Sequence, residues 1–278
     1  MHARCLQYVA RAVPRFKHTA PARRSQLQMN RGLYIAATGM TSAMVRQDVI
    51  ASNLANVATV GFKGDRVVNE TFADSLLYSM NGSGGPTPMG TLNYGTRVAG
   101  TVTDFGQGAF RPTEQPLDVA LGGDGFFQIR NDDGTVGYTR NGQFTRTPDG
   151  FLTTQTGEYV LGPDRLPVFV GTSGDPVIRA DGAVATSDGT RLGQISVVTL
   201  DIPSARKVGQ NTWTGTETGG MPTTTQVRQG FVEASGVNSV KEMVEMITTL
   251  RSYESSQRVI TSIDGTLDKA VNSVGTLG

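Results

Sequence analysis

The side chains able to attack, ligate or shuttle protons are distributed unevenly along this chain. Both histidines (His2, His18) and the only cysteine (Cys5) fall within the first 28 of its 278 residues. From residue 29 onward, cysteine nucleophiles, Ser-His-Asp triads, zinc fingers and histidine metal sites are excluded for want of the residue. Carboxylates remain. In the middle of the chain the Asp-Gly pairs Asp124-Gly125, Asp133-Gly134, Asp149-Gly150, Asp181-Gly182 and Asp188-Gly189, with Asn141-Gly142, invite a calcium-binding or glycosidase reading. NDDGT, residues 131–135, lacks the spaced ligands and closing glutamate of an EF-hand loop. A glycosidase needs two opposed carboxylates in a cleft, and no pair here is singled out by its neighbours. Asn-Gly and Asp-Gly supply the positive φ of tight hairpins, so turn chemistry accounts for most of these residues. GGDGFF, residues 122–127, is neither GxGxxG nor a Walker loop and reads as a turn into a strand. No metal or other cofactor is implied.

The elements that would hold these turns fall into three regions. From Leu33 the pattern Leu33, Ala36, Met40, Ala43, Gln47, Ile50, Leu54, Val57 advances in alternating steps of three and four. That is a heptad stripe, interrupted once by Gln47. A second stripe runs Met243, Met246, Leu250, Tyr253, Gln257, Ile260, Asp264, Leu267, Val271, Val274. Its helix would span roughly 50 Å at 1.5 Å per residue. Between the stripes, short β-favouring runs alternate with turn dipeptides, and Trp213 is expected to pack inside a β core. NGSGGPTPMG, residues 81–90, reads as a flexible loop. The fold class is therefore α+β, mainly β: long N- and C-terminal helices pair as a coiled-coil-like assembly region flanking a central antiparallel β domain. The expected divisions are a leader over 1–28, an assembly helix over 29–61, an extended linker and β-rich outer domain over 62–228, and an assembly helix over 229–278. Gly39 sits inside the first helix, where glycine costs about 1 kcal/mol relative to alanine but permits another backbone to approach closely.

Composition narrows the partners. Hydrophobic residues make up 37% of the chain and 35 residues are glycine, which suits many turns and short strands. No apolar run approaches the roughly 20 residues of a membrane span. The leader carries six of the 25 basic residues and no acid, leaving 19 basic against 24 acidic residues, a net charge of −5, for residues 29–278. Without a concentrated basic stripe there is no electrostatic footprint for nucleic acid. The Arg-rich, acid-free leader has the composition of a transit peptide or of an over-extended start. Met29 is the expected initiator, because helical patterning begins just after it.

Two asparagines stand out in DVIASNLANVATVGFKGDR, residues 48–66. Asn53 and Asn56 lie one turn apart beside the Ile50, Leu54, Val57 seam, although asparagine competes for backbone groups inside helices. One reading gives them cross-subunit or helix-end hydrogen bonds that set register, as a core asparagine does in coiled coils. The other gives them local capping near residues 59–61, with Gly61 allowing the turn and Phe62 and Lys63 forming the exit.

Three segments carry a family resemblance. GLYIAATGM with QDVIASNLANVATVGFK resembles the N-terminal signature of the bacterial flagellar axial proteins, most closely the basal-body rod proteins of the FlgG and FlgF types. GFVEASGVNSVKEMVEMITTLRSYESSQRVI, residues 230–260, resembles their C-terminal signature, and QPLDVALGGDGFFQI and GYTRNGQF resemble central segments. Gly236 departs from the family's usual Asn-Val-Asn, which puts any amide contact at that position in doubt. The resemblance implies a non-enzymatic structural subunit that polymerises into the rod joining motor to hook and transmits torque. It implies as partners the chain itself, other rod and hook proteins, basal-body ring proteins and the flagellar type III export apparatus. Its place would be the basal body in the cell envelope. The expected assembly interface comprises Leu33, Met40, Ile50, Asn53, Leu54, Asn56, Val57, Met243, Met246, Leu250, Tyr253, Ile260, Leu267 and Val271, with Gly61, Phe62 and Lys63 at the helix exit. A hook protein is the related alternative. The rival from another class is a secreted β-domain enzyme acting on cell-wall glycan, with the helices as a dimerisation stalk.

Overall fold

The computed structural model describes residues 22–71, 75–79, 87–92, 95–131, 133–209 and 211–275. Most of the basic leader, residues 1–21, lies outside these, as do residues 81–86 of the expected loop. Two long helices, α1 (Ala22–Ala55) and α2 (Ser239–Gly275), flank a region of short antiparallel strands. Met29 falls within α1 rather than at its start, and α1 stops at Ala55 with turns following to Gly61. No described helix is long and apolar enough to cross a membrane.

The helices run antiparallel. A Cβ at Gly32 would stand 3.3 Å from Ile263 Cδ1, one at Gly39 would stand 3.7 Å from Ser256 Oγ, and Asn53 reaches Glu242. Each advance along α1 is thus matched by an equal retreat along α2. On α1 small residues line much of the seam, Gly32, Ala36, Gly39 and Ala43 recurring in steps of four and three, with the buried Ile50 beyond them; Gly32 faces Ile263 and Gly39 faces Ser256. A methyl at Gly39 would make only ordinary contact, so packing within the subunit does not demand the glycine there. The opposite shoulder of α1 rests on an antiparallel ladder, Asp65–Thr71 with Thr96–Thr103, where Ser42 Oγ bonds Asn69 Oδ1 at 2.9 Å.

The β region holds two cores on opposite faces of one sheet. Strand Phe126–Arg130 is its centre, pairing with Val136–Thr139, Tyr159–Val160 and Val197–Leu200. Side chains alternate across a strand, so Phe127 enters the larger core with Val119, Leu121, Ile129, Phe144, Leu152 and Val160. Phe126 enters the smaller core with Tyr138, Val198, Leu200 and Trp213. Trp213 is buried there, its ring 5.7 Å from Phe126 and 6.1 Å from Phe105.

The turn dipeptides divide into two kinds. Gly134, Gly150, Gly182 and Gly189 take φ between +80° and +85° and each joins two paired strands, as hairpin chemistry requires. Asn141-Gly142 makes no such turn. A Cβ at Gly142 would fall 1.5 Å from the Val119 carbonyl oxygen, and Val119 N–H donates to Gly142 O at 2.9 Å. This glycine exists for close backbone approach. The loop expected over residues 81–90 also differs in part, since Thr87–Leu92 forms a strand paired with Ser75–Ser79. Substitution separates the two glycine classes: Gly142→Ala is expected to cost at least about 3 kcal/mol by overpacking. Gly189→Ala, with nothing within 4 Å of its Cβ, should cost only about 1–2 kcal/mol for its left-handed backbone. Urea melts followed by Trp213 fluorescence measure both.

Candidate functional site

The chain leaves α1 through two amides with different tasks. Asn56 Nδ2 donates to Ser52 O at 2.9 Å, satisfying a carbonyl of the last turn, and Thr59 Oγ1 donates to its Oδ1 at 3.2 Å. That is local capping. Asn53 is buried and behaves as an extra peptide unit: its Nδ2 donates to Asp65 O at 2.8 Å while its Oδ1 accepts from Asp65 N at 3.0 Å. A longer contact of 3.4 Å reaches Glu242 Oε2 at the start of α2. Asn53 therefore binds the first strand residue to α1 and draws α2 toward both.

Residues 60–65 are the most thoroughly tied segment of this region. Val60 O accepts from Asn211 Nδ2 at 2.9 Å, and Gly61 N donates to Glu233 O at 2.7 Å. Gly236 N donates to Phe62 O at 3.0 Å, and Asp104 N donates to Gly64 O at 2.8 Å. Lys207 Nζ lies 4.0 Å from the centre of the buried Phe62 ring, donating to Lys63 O at 3.1 Å and to Asp65 Oδ2 at 3.0 Å. Gly61 has φ +67°, and a Cβ there would lie 2.6 Å from the Arg140 carbonyl, so this turn accepts only glycine.

At the centre is a buried ion cluster. Glu233 and Lys63 are each 1% exposed and Arg140 is 4% exposed. Glu233 Oε1 accepts from Lys63 Nζ at 2.6 Å and from Gly108 N at 2.7 Å, and Oε2 accepts from Arg140 Nη1 at 3.3 Å. Lys63 Nζ also donates to Gly106 O at 2.8 Å. Burial pushes the Lys63 ammonium below its ordinary 10.5, with Glu233 opposing. Burial likewise lowers Arg140, again against Glu233. Two cations share one carboxylate, so the cluster depends on that carboxylate staying charged. Lys63 comes from the N-terminal motif, Arg140 from GYTRNGQF and Glu233 from GFVEAS. Sequence reasoning placed Gly61, Phe62 and Lys63 at the exit but passed over Arg140 and Glu233. Their signal was present: one charged residue inside each of two otherwise apolar or turn-forming motifs.

Gly236 needs no side-chain amide for its part, since its backbone makes the Phe62 bond. Asn238 caps α2, its Oδ1 accepting from Lys241 N at 3.1 Å. Of the residues expected at an interface, Ile50 and Asn53 are buried within the subunit, and Met40, Leu54, Asn56, Val57, Met246, Tyr253, Ile260 and Leu267 are half-buried. Leu33, Met243, Leu250 and Val271 are exposed. The aspartates raised as candidate acids serve turns: Asp133 Oδ1 accepts from Thr135 N at 2.9 Å, and Asp181 Oδ1 from Ala183 N at 3.0 Å.

An antiparallel helix pair, joined by a buried clasp to a β body, is the architecture of a subunit organised around its two chain ends. Comparison with known families agrees along the chain. Residues 33–63 match the family described as flagella basal body rod protein. Residues 120–212 match the flagellar hook protein FlgE/F/G D1 domain, and residues 228–273 the flagellar basal body rod FlgEFG protein C-terminal region. The chain is 35% identical to the flagellar basal-body rod protein FlgG of Borreliella burgdorferi, over 88% of this chain and 98% of that protein. It is 33% identical to FlgG of Bacillus subtilis, over 88% and 99%. Identity to the basal-body rod protein FlgF of Caulobacter vibrioides is 30%, over 90% and 99%. The chain belongs to the flagellar basal-body rod protein family.

Charge arithmetic orders the variants of the clasp. Glu233→Gln leaves two buried cations and should cost about 3–5 kcal/mol. Lys63→Met leaves a paired Arg140 and Glu233 and should cost about 1–3 kcal/mol, chiefly for the abandoned hydrogen bonds. A second expectation concerns pH. Because Lys63 sits below 10.5 when folded, the folded chain releases that proton before the unfolded chain does. Unfolding then takes up a proton, so stability should rise as pH climbs from the folded pKa toward 10.5. The rise should be absent from Lys63→Met, so the difference between wild type and variant in chemical denaturation should grow across that pH range.

Proposed function

We propose that the chain is a structural subunit of the bacterial flagellar rod, polymerising through α1 and α2 into the shaft that joins motor to hook. The observation that carries this reading is near full-length similarity to rod proteins. A helix pair with large apolar side chains left in solvent is consistent with it: Met44 is 54% exposed, Ile247 53% and Leu250 37%. Such surfaces mark contact sites. In the polymer the residues of the two stripes are covered by neighbouring copies in coiled-coil fashion, and the β region forms an outer domain. The subunit is not an enzyme. Its partners are further copies, other rod and hook proteins and basal-body ring proteins, and it reaches the basal body in the cell envelope through the flagellar export apparatus.

Deleting the gene should remove the rod segment and motility, as seen by microscopy of isolated basal bodies; normal rods and swimming in the deletion would sink the assignment. Leu250→Asp should lower incorporation at least tenfold while Trp213 fluorescence and the β-sheet circular dichroism of the monomer stay unchanged.

A further inference from the structure

A polar joint separates the helix pair from the β region. Among the described residues, neither apolar core of the β region takes a side chain from α1 or α2. The ladder Asp65–Thr71/Thr96–Thr103 goes with the helices, since Ser42 holds Asn69 and Asn53 holds Asp65. The chain crosses from this body to the β region at residues 104–109 and returns at 234–238. Phe105 packs against the smaller core, which fixes the first crossing just beyond Asp104. The hydrogen bonds that span the joint converge on residues 60–65. Asn211 meets Val60 O, Glu233 meets Gly61 N and Lys63 Nζ, and Lys207 meets Lys63 O and Asp65.

The glycines of the crossings differ in purpose. A Cβ at Gly108 would overlap the Ala234 carbonyl oxygen, so packing demands glycine there. At Gly236 a Cβ would meet nothing nearer than 3.7 Å, and its φ lies outside the left-handed region. The bond from its N–H to Phe62 O is open to any residue but proline. The structure therefore gives no steric reason for glycine at 236, whereas rotation of the chain at that point does.

We propose that the clasp is a latch and Gly236 its hinge: when residues 60–65 withdraw from Glu233, the helix pair and its ladder swing away from the β region as one body. Opening uncovers Val60 and Phe62 but leaves both apolar cores intact, so it costs less than unfolding. It also strands no charge. Lys63 moves into water as water reaches Glu233 and Arg140, whereas a half-withdrawn Lys63 would leave charge buried and unmatched. The joint therefore has two states, latched and open, with little between. The motion belongs to the single subunit, whether or not it polymerises.

Hydrogen exchange on the full chain reads the latch. The Gly61 and Gly236 amides lose their acceptors, Glu233 O and Phe62 O, when the joint opens. The Leu161 and Ser196 amides, bonded within the β region, keep theirs. Gly61 and Gly236 should share one protection factor, at least about tenfold below those of Leu161 and Ser196. Lys63→Met should lower it at least about tenfold further. Gly236→Ala should raise protection at Gly61 about two- to fivefold by removing freedom from the open state, and neither variant should move Leu161 or Ser196. Unrelated values at Gly61 and Gly236, or exchange of both only together with the β core, would overturn the latch. No change at Gly61 in Gly236→Ala would overturn the hinge. Spin labels separate a swing from fraying in place. They are carried on Thr224→Cys and Thr248→Cys, both exposed positions, in a Cys5→Ser background with Lys63→Met. A second, longer distance supports the swing, and a single unchanged distance overturns it. If Lys63→Met does not fold, the wild-type protection factors and Gly236→Ala decide.

Discussion

Glu233 carries a charge that folding removes from water, and the cost of doing so is met only when Lys63, Arg140 and the Gly108 amide all arrive. Each partner lies far along the chain, with Lys63 separated from Glu233 by 170 residues. A half-formed cluster is worse than none, because an uncompensated buried charge is costly. This dependence ties three distant segments into one all-or-none joint. It fixes where the chain leaves α1, where it enters α2 and how the β region meets both.

The joint matters for what the helices can do. Their seam sets the glycines and alanines of α1, with the buried Ile50, against a face of α2 on which Met246, Tyr253, Ile260 and Ile263 are half-buried. Asn53, the ladder and the clasp add to the placement of the helices. Other large side chains of the pair, Met44, Met243, Ile247 and Leu250, remain exposed.

The heptad stripes were legible as stripes, and the long helices at both ends follow from them. That the two helices lie against each other was legible as well; which residues of each stripe are covered within the subunit was not. Ile50 is buried and Met246, Tyr253 and Ile260 are half-buried, whereas Leu33, Met243 and Leu250 are exposed. The asparagines were ambiguous for a related reason. The sequence offered both residues the same two roles; the structure makes Asn56 a local cap, whereas Asn53 takes its meaning from Asp65, which approaches only after the chain has turned. Asn141-Gly142 misled in the same way: the dipeptide has hairpin chemistry, yet the Val119 carbonyl passing above it demands a residue without a Cβ.

By itself the sequence determined the helical ends, the β-rich middle, most turn positions, the exclusion of histidine and cysteine chemistry after residue 28 and, through its motifs, the family. These depend on neighbours in the chain, on period and on residue identity, so they are written locally. Only the tertiary structure decided that Lys63, Arg140 and Glu233 form one cluster, that Asn53 binds Asp65, and which residues of each stripe are covered within the subunit. Each of these depends on contacts between residues tens to hundreds of positions apart, and on which face of an element meets another. Periodicity constrains such a choice but cannot make it.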